Sequence, residues 1–139
     1  MEKNIEIIKS LIDRIEDIKI SEIYDIFLSI INEITSKVDQ YVGDYPTFIE
    51  PVFLGENVKI GDDVLLGPNV YIGPNSIIED FVEISNSVLL ENVRIGENIK
   101  LEYCIVGKNS NLNFSKFIAK NSVIVGSGTS KEELKILKF

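Results

Sequence analysis

Two periodicities divide the chain. Up to residue 42, apolar side chains recur at helical spacing: Ile5, Ile8, Ile12 and Ile15, then Ile23, Phe27, Ile30, Ile34 and Val38. Steps of three and four are the stripe of an amphipathic helix. Lys19-Ile20-Ser21 separates the two runs, and Ser21 is placed to cap the second. The pattern predicts two helices within a segment 1–42. Neither can bury its stripe alone, so the pair must close on itself, on the rest of the chain, or on another subunit.

After Gly43-Asp44-Tyr45-Pro46 the period changes to six. From residue 54 the chain reads LGENVK, IGDDVL, LGPNVY, IGPNSI, IEDFVE. The first position holds Leu54, Ile60, Leu66, Ile72, Ile78 and Ile84, the second Gly55, Gly61, Gly67 and Gly73. The fourth holds Asn57, Asp63, Asn69 and Asn75, and the fifth Val58, Val64, Val70, Ser76 and Val82. A fixed six-residue period is a β-solenoid signature. Positions one and five point into a narrow core. Position four is a corner where Asn or Asp accepts the left-handed backbone. Three such edges close a triangular coil of 18 residues, with successive coils stacked at strand spacing.

First positions continue at Leu89, Ile95, Leu101, Val106, Leu112 and Ile118. The steps 84 to 89 and 101 to 106 are one residue short. They lie three edges apart, which puts both at the same corner. Beyond Asn113 the pattern frays, and Lys116 falls on an inward position between Phe114 and Phe117. The expected architecture is therefore mainly β: a left-handed parallel β-helix of about four coils over 43–126, with residues 127–139 forming a turn and a short C-terminal helix. Thr129 with Glu132, or Ser130 with Glu133, is spaced as a capping box for that helix.

Composition narrows the chemistry. There are 22 acidic against 14 basic residues among 139, a formal charge of −8, which argues against nucleic acid or an anionic membrane as main partner. The N-terminus is interrupted by charges and lacks a signal-peptide or membrane-span pattern. One cysteine forms no internal disulfide, and a cytoplasmic location is the default expectation. Histidine is absent. That removes the side chain best suited to general-base work near neutral pH, and the commonest zinc ligand.

The stretch from Phe48 to Leu112 resembles one branch of the hexapeptide-repeat proteins, the C-terminal β-helix of sugar-1-phosphate nucleotidyltransferases. The resemblance rests on Pro51-Val52-Phe53-Leu54-Gly55, Gly67-Pro68-Asn69, Ile84-Ser85-Asn86-Ser87-Val88-Leu89 and Ile105-Val106-Gly107. It implies the left-handed β-helix, but the repeat encodes a scaffold rather than an activity. The large nucleotide-binding domain of those enzymes is replaced here by about forty helical residues. Acyltransferases of the family resemble one another in a histidine base, and its carbonic anhydrases in histidine-bound zinc. Both features are missing, so no catalytic residue, metal or cofactor is assigned.

The leading expectation is a stand-alone, non-catalytic platform for oligomerisation or partner binding. It would be a trimer by family resemblance, with a separate nucleotidyltransferase chain as candidate partner. The alternative is a transferase holding an acyl-CoA or nucleotide-sugar between subunits, with Lys116 and Lys120 as anion contacts. Position six should face solvent yet holds Phe53, Leu65, Tyr71 and Ile77. These are the candidate oligomer interface, unless the N-terminal helices cover them. Cys104 reads as a plain corner residue. Val125-Gly126-Ser127-Gly128-Thr129-Ser130-Lys131 has some of the look of a phosphate loop but lacks its Gly-Lys-Ser/Thr ending, and reads as a turn. Glu2, Glu6, Glu16, Asp17 and Glu33 read as solvated helix faces.

Overall fold

The computed structural model describes all residues 1–139. Helix α1 spans Glu2–Asp13 and α2 spans Ile20–Glu33. Ser21 is not the cap: α2 starts at Ile20 behind an extended Lys19. The second apolar run also outlasts its helix. Ile34 turns extended, Lys37 bridges Phe53, and Val42 bridges Lys59. The first coil thus begins within what spacing alone assigned to helix. Val38 packs against the solenoid interior.

Each edge of the prism contributes one strand per coil. The first face stacks β1 (Thr47–Phe48), β4 (Leu65–Leu66), β7 (Glu83–Ser85) and the leading halves of β10 (Ile99–Val106) and β12 (Phe117–Val125). The second stacks β2 (Val52–Leu54), β5 (Val70–Ile72), β8 (Ser87–Leu89) and the trailing halves of β10 and β12. The third stacks β3 (Lys59–Ile60), β6 (Ile77–Ile78), β9 (Arg94–Ile95), β11 (Asn111–Leu112) and β13 (Ser127–Gly128). All these pairings are parallel, and the result is a left-handed parallel β-helix of about five coils, one more than the repeat count predicted.

Corners explain the Asn-rich fourth position. Tyr45, Asp63, Phe81, Asn98 and Lys116 line one corner, all with φ between 50° and 60°. Asn57, Asn75, Asn92 and Asn109 line another. Asn tolerates this region because its short amide offsets the Cβ clash locally. Here the amides also bond between coils: Asn57 donates to Asn75 at 3.2 Å, Asn92 to Asn109 and Asn69 to Asn86 at 2.9 Å each.

The shortened edges do stack at one corner, and there is a third, Ala119 to Ile124. The register pairs Leu101 with Ala119 and Val106 with Ile124. Ala119, rather than Ile118, is therefore the inward residue, and Ile118 is 65% exposed. One extra residue between Leu112 and Ala119 shifts the frame. It moves Lys116 from its expected inward position onto a solvent-facing corner at φ 60°. At two of the three short edges the strand continues around the corner, so β10 and β12 each belong to two faces, while the 84 to 89 edge breaks at Asn86 between β7 and β8.

The expected C-terminal helix is a single 3-10 turn, Lys131–Glu133, followed by β14 (Lys135–Lys138). β14 runs antiparallel to β12, pairing Val123 with Leu137 and Ile124 with Ile136. A last coil leaves a row of unpaired backbone groups, and satisfying that edge outweighs the helical preference of nine residues. The capping spacing survives in part: the Glu133 carboxylate accepts from the Thr129 hydroxyl at 3.0 Å and the Ser130 hydroxyl at 3.5 Å.

Two apolar layers hold the molecule. Twenty-one buried residues fill the prism. A second set of thirteen lies between the helix pair and the second face. Ile8, Ile23, Phe27 and Ile30, none of them exposed, meet Val88, Ile105 and Val123 there. Phe139 closes the end of this layer, stacked on Phe27 with centroids 5.5 Å apart.

Candidate functional site

The proposed interface residues separate onto all three faces. Phe53 and Tyr71 stack on the second face, ring centroids 5.2 Å apart and planes 4° from parallel, and both belong to the layer beneath the helices. Tyr71 is 8% exposed. The covering by this chain's own helices, weighed above as the alternative, is the arrangement found for these two. Leu65 lies on the first face and Ile77 on the third, half-buried and clear of the helices. The residues that sequence reading missed are Val88, Leu90, Ile105 and Val123, which continue the apolar second face. A 17-residue step after Tyr71 would have found Val88 and Ile105, but an 18-residue count passes over them.

The helix pair is tied to the solenoid at its rim as well as through its core. Lys9 bridges Glu6 at 3.1 Å and Glu91 at 2.9 Å, and Lys108 reaches Asp13 at 3.6 Å. Lys135 pairs with Glu16. The Glu91 hydrogen bond, foremost, holds the Lys9 ammonium above its ordinary pKa despite opposing desolvation. A hollow of about 290 Å³ lies beside this tie, lined by Glu2, Glu6, Tyr71 and Leu90. Burial pushes the Tyr71 phenol up.

Cys104 is an inward residue, one place beyond the corner, which Tyr103 occupies at φ 52°. It continues a column Val70–Ser87–Cys104–Ser122. Ser87, Cys104 and Ser122 fit the tight corner because each side chain bonds the turn of its own edge. Ser87 donates to the Ser85 carbonyl at 2.8 Å and Ser122 to the Lys120 carbonyl at 2.7 Å. The Cys104 thiol lies 3.4 Å from the carbonyls of Glu102 and Ala119. Burial pushes this thiol up to about 11. A protonated, fully buried thiol is a packing element rather than a nucleophile.

The first face is open, and its outward residues form two columns. One is Leu65, Glu83, Lys100 and Ile118; beside it run Gly67, Ser85, Glu102 and Lys120. Small Gly67 and Ser85 leave a groove of about 390 Å³ between larger neighbours. Lys100 reaches Glu83 at 3.6 Å. Lys120 stands in this groove, whereas Lys116 stands around the corner against Phe114, Phe117 and Lys131. The two lysines expected to share one anion site therefore line different hollows, separated by Ile118. No group of three or more His, Cys, Asp or Glu side chains is set to hold a metal ion. No helix is long and apolar enough to cross a membrane.

A solved maltose O-acetyltransferase from Clostridium difficile 630 is similar at 21% identity, over 98% of this chain and 86% of that one, with a TM-score of 0.26. No curated protein gives a significant match. The family profile described as the GMPPB C-terminal domain matches residues 48–138. That span starts at β1 and runs through the antiparallel β14, so it takes in the closing strand that caps the last coil. From these matched residues, the chain belongs to the GMPPB C-terminal domain family, a nucleotidyltransferase-type hexapeptide β-helix.

Proposed function

We propose that this β-helix serves as a non-catalytic platform in the cytoplasm. It assembles into a homotrimer and offers its remaining surface to a partner, a separate nucleotidyltransferase chain being the leading candidate. One observation carries the reading. The helix pair seals the second face, while the first stays open with Ile118 65% and Ile49 47% exposed among charges of alternating sign. Glu83, Lys100, Glu102 and Lys120 give that face both donors and acceptors, which suits a contact with a different face of a neighbouring copy, the heterologous interface that closes a trimer. Protonation supports the same reading: Cys104 and Tyr71 are both held further from their nucleophilic forms than free side chains would be.

Light scattering at micromolar concentration tests the assembly. The expected mass is three times that of the 15.6 kDa chain, and Ile118→Glu should dissociate it. A monomeric native chain would end the proposal. Partner binding is tested by co-purification with a nucleotidyltransferase that lacks its own β-helix.

The groove on the first face favours a second reading, a transferase that holds an acyl-CoA or nucleotide-sugar where subunits meet, with Lys120 as an anion contact. Calorimetric titration with acetyl-CoA and with nucleotide-sugars discriminates. Heat abolished by both Lys120→Ala and Ile118→Glu would favour it over the platform; no heat would remove it.

A further inference from the structure

Charge is distributed unevenly along this acidic chain. Residues 1–112 hold nine basic and twenty acidic side chains, whereas residues 113–139 hold five lysines and two glutamates. The C-terminal end is therefore a basic rim on an acidic prism. Lys116 and Lys131 are not engaged in any of the molecule's ion pairs. They line one hollow of about 540 Å³.

Its walls follow from two local departures from the repeat. The extra residue between Leu112 and Ala119 leaves residues 113–115 outside the strand ladder and sets Lys116 on the corner, its amide donating to the Glu97 carbonyl at 3.2 Å. Opposite stands the turn through Thr129 and Ser130 to Lys131. The Glu133 carboxylate beyond that turn is occupied by both hydroxyls and by the Thr129 amide, which donates at 3.3 Å. With neither Lys116 nor Lys131 in an ion pair, their ammoniums are available to an outside anion. Phe114 and Phe117, half-buried and set edge to face at 5.5 Å and 66°, give the hollow an aromatic wall. The Ser115 hydroxyl is free to bond a ligand.

We propose that this rim pocket binds a nucleoside diphosphate within a single chain, Lys116 and Lys131 holding the phosphates and Phe114 and Phe117 the base. Ammonium groups recognise phosphate as compact charges, and aromatic faces accept any base by stacking. The volume falls in the range of small-molecule sites, about 300–1,000 Å³. The site is independent of the platform reading, because it needs no second subunit.

Titration calorimetry of the full chain in low salt tests it, using ADP, UDP, adenosine and inorganic pyrophosphate, with light scattering on the same samples. Lys116→Asn keeps the left-handed corner that asparagine fills elsewhere in this prism, and Lys131→Ala lies in the turn. Each should weaken ADP and UDP roughly tenfold, the scale of one charge-assisted hydrogen bond. Lys59→Ala, on the third face, should change nothing. Adenosine and pyrophosphate should each bind at least roughly tenfold more weakly than ADP. No heat with either nucleotide, or affinity unchanged in both lysine variants, would overturn the site. Pyrophosphate as tight as ADP would overturn the aromatic half of the assignment. Loss of the trimer with nucleotide binding intact would count against the platform alone.

Discussion

Cys104→Ser isolates one buried group whose protonation is linked to folding. The thiol is unexposed and held near pH 11, against an ordinary 9.0. An acid whose folded pKa is raised favours the native state only while it stays protonated in both states. Stability is complete below pH 9, falls as the unfolded thiol ionises, and levels off only above about 11. At pH 10.5 those two pKa values correspond to roughly 2 kcal/mol of lost stability. Serine removes the linkage with little change of shape, since Ser87 and Ser122 already occupy the flanking coils of the same column. At pH 7.5 its cost should stay within about 1 kcal/mol. The assay is urea unfolding of both proteins at pH 7.5, 9 and 10.5. The native chain should lose about 2 kcal/mol more than Cys104→Ser across that range, other titrations being common to both. Parallel pH profiles would refute the reasoning, as would a thiol that reacts with a disulfide reagent as fast in the folded as in the unfolded chain.

Two further substitutions probe the architecture. Gly67 has φ 111°, and a Cβ there would overlap the Ile49 carbonyl oxygen of the preceding coil. Gly67→Ala should therefore cost more than about 3 kcal/mol, read as a lowered denaturant midpoint. A midpoint within error of the native chain would contradict the coil spacing. Phe27→Ala removes an unexposed ring from the helix-to-solenoid layer, for about 3–5 kcal/mol. In hydrogen exchange, α1, α2 and β14 should lose protection before residues 52–112 do. Uniform loss would mean that the two apolar layers unfold as one.

The prism was legible because its determinants are local. Each six-residue line carries its own inward positions and its own left-handed corner, and Asn57, Asp63, Asn69 and Asn75 announce them without reference to distant residues. The stacked short edges were legible for the same reason. The errors occur where a neighbour decides. Val38 keeps helical spacing, yet it serves the first coil because Lys37 and Val42 find strand partners 16 and 17 residues away. Lys116 was assigned inward because one extra residue before Ala119 is silent until the register to Leu101 is known. Residues 135–138 carry enough helix formers to suggest a helix, but the open edge of β12 offered backbone partners that no local pattern reveals.

The candidate sites divide along the same line. The sequence by itself determined the repeat, the corners, the acidic balance and the absence of imidazole, since each is a property of residue type at a fixed spacing. Only the tertiary structure decided that Phe53 and Tyr71 lie beneath this chain's own helices, that Lys116 and Lys120 line different hollows, and that Thr129, Ser130 and Lys131 share a hollow with Phe114 and Phe117. Those are relations between coils and across ends. For Phe53 and Tyr71 the helix pair decides, and for Lys116 the one extra residue before Ala119 decides, while the composition is untouched by either.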